Sequence, residues 1–331
     1  MPIQTSLRDN YTLRISVTSH CNLNCVYCNP VISKFEMSDD DLIKIIKAAA
    51  LAGVKKISWT GGEPTVKKGL AEIIKTAREL GIQKQSMTTN GVLFYKKAQE
   101  LKNAGLTRVN ISLDTLDAAE YKSITKRDAL PDVLKSIETG INIFGKLKIN
   151  HVVTRKNIHT IPQFIDFAQQ YGDRLTIRFL ELVPCNNASE NDKKAFNAEF
   201  VSKDEIKETL KSFGKLSNYE NTGDVPKSIY YKIEGKKGIF GINPNHSVSY
   251  RCDREKCPKI RVSPTGFVSN CTTNLKFCRN FKGIDQKQAN ELMEKIVHEK
   301  ETRNYKGFLH KQKYYDFWRF GVPPKNELKV D

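Results

Sequence analysis

Along the first 183 positions, the hydrophobic pattern switches repeatedly between short strand-like runs and longer helical ones. Residues 12–17, Thr-Leu-Arg-Ile-Ser-Val, read as a strand. Leu42, Ile45, Ile46 and Ala49 recur at helical spacing behind the start signal Ser38-Asp39-Asp40-Asp41, and Gly53 closes that helix. Val54 to Trp59 predicts a second strand, Leu70 to Leu80 a helix and Lys84 to Thr88 a third strand. Lys96 to Ala104 predicts a helix that Gly105 stops. Arg108 to Leu113, Leu147 to Val153 and Arg174 to Leu182 complete the strands, with helices over Leu130 to Ile143 and Ile161 to Gln170 between them.

Strands that alternate with helices at even intervals argue for parallel βαβ units. The expected fold is α/β, a partial (βα)6 barrel, open where a complete barrel has eight units. Near Pro184 the pattern changes. Cys185 to Phe200 reads as a polar loop, Asp204 to Phe213 as a helix, Ile229 to Ile242 as a hairpin around Gly235 and Gly238, and Asp285 to His298 as a helix. The expected division is a barrel over 1–183 and a C-terminal α+β extension over 184–331. Active sites in such sheets lie at the C-terminal ends of the strands. A cysteine loop follows the first strand, Gly61-Gly62-Glu63 the second and Thr88-Thr89-Asn90-Gly91 the third, while Ser112-Leu113-Asp114 ends the fourth.

The cysteine loop, Cys21-Asn-Leu-Asn-Cys25-Val-Tyr27-Cys28, carries the densest chemistry. Three thiolates on a tight loop can hold three irons of a four-iron cluster and leave the fourth open for a ligand. Structural zinc favours paired C-x2-C ligands with a second pair elsewhere, which a lone triplet lacks. With Arg14-Ile-Ser-Val-Thr18 before it and Thr60-Gly-Gly-Glu-Pro64 after it, the segment resembles the radical S-adenosylmethionine (SAM) enzymes. The resemblance implies a [4Fe-4S] cluster on Cys21, Cys25 and Cys28. SAM would be bound on the open iron, with Tyr27, Gly61, Gly62, Glu63, Ser112 and Val183 beside it. It also implies SAM cleavage to a 5′-deoxyadenosyl radical that abstracts substrate hydrogen.

Composition narrows the partners. The 331 residues include 54 basic and 37 acidic ones, a net charge of +17. The excess is even: net +8 over 1–183 and +9 over 184–331. A lysine-rich solvated surface with an anionic small-molecule substrate is expected, rather than nucleic acid. No apolar run approaches a membrane span, and the N-terminus has no hydrophobic signal core, which predicts a cytoplasmic protein. Eight cysteines there are expected to be reduced ligands rather than disulfides.

Alone, Thr88–Gly91 would be an ordinary turn and Ser112–Asp117 a strand end with a helix cap. Both resemble segments of one radical SAM group, the GTP 3′,8-cyclases of molybdenum-cofactor synthesis, over about Leu13 to Cys271. The resemblance implies a second [4Fe-4S] cluster on Cys252, Cys257 and Cys271, with Cys278 outside the coordination sphere. A zinc site closed by Cys278 is the rival reading. It further implies GTP held by Arg14, Lys56, Thr88, Lys148, Arg178, Lys259 and Arg261, and a flavodoxin or ferredoxin as electron donor. A homodimer is a further expectation. The chain departs from that family in four places. Ser58 and Lys259 stand where the family has arginine, the first gap of the second triplet is four residues rather than two, and the tail lacks the family's Gly-Gly pair. Those departures leave open another nucleotide or a peptide as substrate.

Overall fold

The computed structural model describes residues 7–28, 33–182, 190–220, 228–244, 258–270 and 278–302. Strands β1 (Thr12–Ser16), β2 (Lys56–Thr60), β3 (Lys84–Thr89), β4 (Arg108–Ser112), β5 (Leu147–Val153) and β6 (Leu175–Glu181) lie side by side and parallel. Helices α1 (Asp39–Leu51), α2 (Leu70–Glu79), α3 (Phe94–Ala104), α4 (Ala118–Thr125), α5 (Leu130–Phe144) and α6 (Ile161–Gln169) connect them. The βαβ reading of the sequence therefore stands, with boundaries moved by one or two residues.

The remaining chain adds α7 (Glu190–Glu199), α8 (Lys203–Lys211), β7 (Leu216–Tyr219), β8 (Ile229–Ile233), β9 (Ile239–Asn243), β10 (Lys259–Val262), β11 (Phe267–Ser269), β12 (Cys278–Asn280) and α9 (Gln286–Glu301). Its strands join both edges of the same sheet. Among the described residues the order is β12-β11-β10-β1-β2-β3-β4-β5-β6-β9-β8-β7. β10 pairs parallel with β1, and β9 parallel with β6, so two C-terminal strands extend the parallel core. The expected hairpin over 229–242 exists as β8 and β9, but β9 is also a core strand.

Each core strand has two faces. Leu13, Ile15, Ile57, Trp59, Met87, Val109, Ile111, Ile149, Ile177 and Phe179 point outward and are buried in the core beneath the helices. Burial of these side chains, at roughly 1.5–3 kcal/mol each, drives the helices onto that face. Trp59 donates its indole N–H to Gln85 Oε1 at 2.9 Å, so the buried Gln85 side chain is matched.

Two helices were missed. Residues 190–199 form α7 where a loop was expected, because Glu, Lys and Ala favour helix without leaving an apolar stripe. α4 follows β4 directly, capped by Asp117, whose carboxylate accepts the Glu120 N–H at 2.7 Å. It is only eight residues long, with too few turns to show a periodicity.

Candidate active site

The cysteine loop leaves the end of β1 and is held by backbone bonds on two sides. Gly62 N–H donates to Thr18 O and Glu63 N–H to His20 O, each at 2.8 Å. Asn24 N–H and Val26 N–H donate to Thr125 O and Ile124 O, at 3.0 and 2.9 Å, tying the loop to the end of α4. The two glycines are required by this contact. A Cβ on Gly61 would stand 2.5 Å from Thr18 O, and one on Gly62 would stand 2.2 Å from His20 O.

Three carboxylates brace the same loop. Glu36 accepts from the Thr18 hydroxyl at 3.0 Å, the Ser19 hydroxyl at 2.6 Å and the Ser19 N–H, closing the loop's base. Glu63 is buried and accepts from Thr65 N–H (2.9 Å), the Thr65 and Thr89 hydroxyls (2.6 Å each) and Asn90 N–H (2.6 Å). Both Glu63 oxygens thus fasten the turn after β2 to the end of β3. Burial raises the Glu63 pKa, against the pull of these donors. Asp114 accepts the Tyr27 hydroxyl and the Val152 N–H (2.8 Å), and burial pushes its pKa up to about 6.

One cavity joins these parts. It is lined by Cys21, Cys25, Tyr27, Cys28, the 60–63 turn, Thr88, Asn90, Ser112 and Asp114, and by Arg14 and Arg261. Its strand residues come from β1 to β6 and β10, so the sheet curves around it. Nearly all of them occupy the inward register. In that register Arg14 stands beside Ser58 and Arg261, Lys56 beside Thr12, and Arg178 beside Asn150 and Gly241. Lys56, Lys148, Arg178 and Lys259 share this face but lie outside the cavity lining. Arg178 donates to Asn150 Oδ1 from Nε and Nη2, at 2.9 and 2.5 Å. The Lys148 ammonium lies 5.2 Å from the centre of the Tyr230 ring. Across the twelve described strands, no Asp or Glu occupies an inward register position. Several cations gathered on one concave face favour an anionic ligand.

The cysteines fit an iron–sulfur cluster. Cys21 Sγ receives the Leu23 N–H at 3.5 Å and the Asn90 side-chain amide at 3.8 Å. N–H donors aimed at ligand sulfur stabilise thiolates and tune a cluster. Among the described residues, no group of three His, Cys, Asp or Glu side chains is placed to hold a single metal ion. Val183, Cys252, Cys257 and Cys271 lie outside the described residues. Cys278 begins β12, opposite Ser269, and burial pushes its thiol up to about 12. The sequence reading missed Glu36 and passed over Asn90 and Asp114 as parts of a turn and a cap. Their partners lie 17 to 87 residues away, beyond any local pattern.

Comparison with known proteins fits this geometry. Residues 15–168 match the radical SAM superfamily model. The GTP 3′,8-cyclase of Clostridium perfringens strain SM101 is 36% identical over 89% of this chain and 92% of its own. That of Limosilactobacillus fermentum is 35% identical over 78% of each chain. Among solved structures, Streptococcus suis SuiB bound to S-adenosylmethionine has a TM-score of 0.57 at 18% identity, over 82% of this chain and 63% of its own. AdoMet-bound anSMEcpe has a TM-score of 0.54 at 17% identity, over 91% and 88%. These two structures share the fold. No described helix is long and apolar enough to cross a membrane. Sequence identity over nine-tenths of the length, with the cysteine loop and the Gly-Gly-Glu turn meeting at one cavity, places the chain in the GTP 3′,8-cyclase family of the radical SAM superfamily.

Proposed function

We propose that this protein cleaves SAM reductively and uses the resulting radical on GTP, closing the ribose onto the purine to give the 3′,8-cyclised nucleotide of molybdenum-cofactor synthesis. Cys21, Cys25 and Cys28 hold a [4Fe-4S] cluster that, once reduced by a flavodoxin or ferredoxin, supplies the electron for this cleavage. Tyr27, the Gly61-Gly62 backbone and Ser112 position SAM, and the Glu63 carboxylate holds that turn in place. Cys252, Cys257 and Cys271 hold a second cluster.

The observation that carries the substrate assignment is the inward face of the sheet. Arg14 and Arg261 meet in register on adjacent strands, with Lys56, Lys148, Arg178 and Lys259 on the same face. Two guanidinium groups on adjacent strands can present their donors to one anion. A triphosphate satisfies several such cations at once. Val152 and Leu180 give the same cavity an apolar side suited to a base or ribose face.

The test is anaerobic reconstitution followed by turnover with dithionite, SAM and GTP. Release of 5′-deoxyadenosine that depends on GTP, with a cyclised nucleotide formed alongside it, is the expected result. Zinc as the sole bound metal, with no deoxyadenosine, would remove the enzyme assignment. Turnover with another nucleotide or a peptide, and none with GTP, would replace the substrate.

A further inference from the structure

Tyr121 is 3% exposed, and its hydroxyl has no hydrogen-bond partner among the described residues. A buried hydroxyl without a partner costs about 1–3 kcal/mol, so its persistence calls for a ligand. The Thr125 hydroxyl one turn on contacts the Tyr121 and Arg127 carbonyls, at 2.8 and 3.1 Å, and makes no hydrogen bond with the Tyr121 hydroxyl. The Tyr121 side chain lines the same cavity as Cys21, Cys25 and Cys28. It projects from α4, the helix whose end holds the cysteine loop through Asn24 and Val26. A phenol that stays protonated is a donor.

Resting on the assignment of the three cysteines above, we infer that the Tyr121 hydroxyl donates a hydrogen bond to the sulfur shell of the cluster at Cys25 and raises its reduction potential. Reduction adds negative charge to the sulfurs, so a donor at that shell stabilises the reduced state more than the oxidised one. A phenylalanine would fill the same volume without donating. The hydroxyl therefore sets how readily the cluster accepts the electron that SAM cleavage requires.

The experiment compares the intact protein with Tyr121→Phe, both reconstituted anaerobically and titrated potentiometrically with dithionite under EPR, with and without SAM. At a fixed potential the variant should hold about tenfold less reduced cluster, a midpoint lower by about 59 mV for one electron. Its iron content should match the wild type, and the metal-free variant should be at least as stable, because it loses an unsatisfied polar group. Poor iron loading by a folded variant would count against the inference, because the hydroxyl would then act in cluster assembly rather than on the potential. Equal midpoints at full iron content would overturn it. So would a difference seen only with SAM present, which would assign the hydroxyl to SAM. If the wild type itself binds no iron, the cysteine assignment falls and takes this inference with it.

Discussion

The two faces of the same strands obey opposite rules. Outward residues such as Ile15, Trp59, Ile111 and Phe179 are apolar and fully buried beneath helices. Inward residues such as Arg14, Ser58, Thr88, Asn110, Ser112, Asn150 and Arg178 are polar and only partly buried. A complete barrel packs its interior with branched apolar side chains. Here that packing is absent, so the outward face must carry the stability and the inward face is available for chemistry. Stability and activity should therefore separate by face.

The largest effect is expected on the outward face. Trp59→Ala removes a fully buried ring and leaves the Gln85 amide without its indole partner. It should cost about 3–5 kcal/mol, read from denaturant unfolding of the metal-free protein. A loss below 1 kcal/mol would mean that this face does not carry the fold.

Asp114 sits at the junction of the two faces. Its carboxyl is raised from 3.8 to about 6, so the folded state holds the proton more tightly than the unfolded chain does. The resulting stability is complete below about pH 4 and is lost as pH rises through about 6, on the order of 3 kcal/mol in all. Asp114→Asn can still accept from Val152 N–H while its amide donates to the Tyr27 oxygen. Relative to wild type, the variant should gain stability steadily between pH 4 and pH 7. A parallel pair of pH–stability curves would show that Asp114 titrates normally.

The smallest stability effect is expected on the inward face. Arg261→Ala removes one of two arginines in register and should change stability by no more than about 0.5 kcal/mol. Substrate use should fall more than tenfold, since a lost charged hydrogen bond is worth about 1.5–3 kcal/mol. SAM cleavage without substrate should stay nearly constant. Large destabilisation with unchanged kinetics would make Arg261 a structural residue.

The sequence was most informative where the signal is local. Cys21, Cys25 and Cys28 fall within eight residues, and the Gly-Gly-Glu turn closes the next strand, so their joint placement follows from βαβ order alone. One reason for glycine at 61 and 62 is the place beside SAM that the resemblance implies. The structure shows a second reason, because the turn lies against the 18–20 backbone with no room for a Cβ. The resemblance places Glu63 beside SAM, and in the structure its oxygens also hold Thr65, Thr89 and Asn90. Nothing near these residues in sequence reveals such partners.

What the sequence alone determined was the alternation of strand and helix, the polarity of each strand's two faces and the cysteine spacing, because each is a short-range periodicity. What only the tertiary structure decided was the rest of the site. β9 and β10 join opposite edges of the core, bringing Arg261 beside Arg14 from 247 residues away. Tyr27 meets Asp114, and Tyr121 turns an unpaired hydroxyl into the cysteine cavity. Edge pairing and buried polar contacts depend on which distant segments the packed core brings together, and side-chain periodicity carries no record of that.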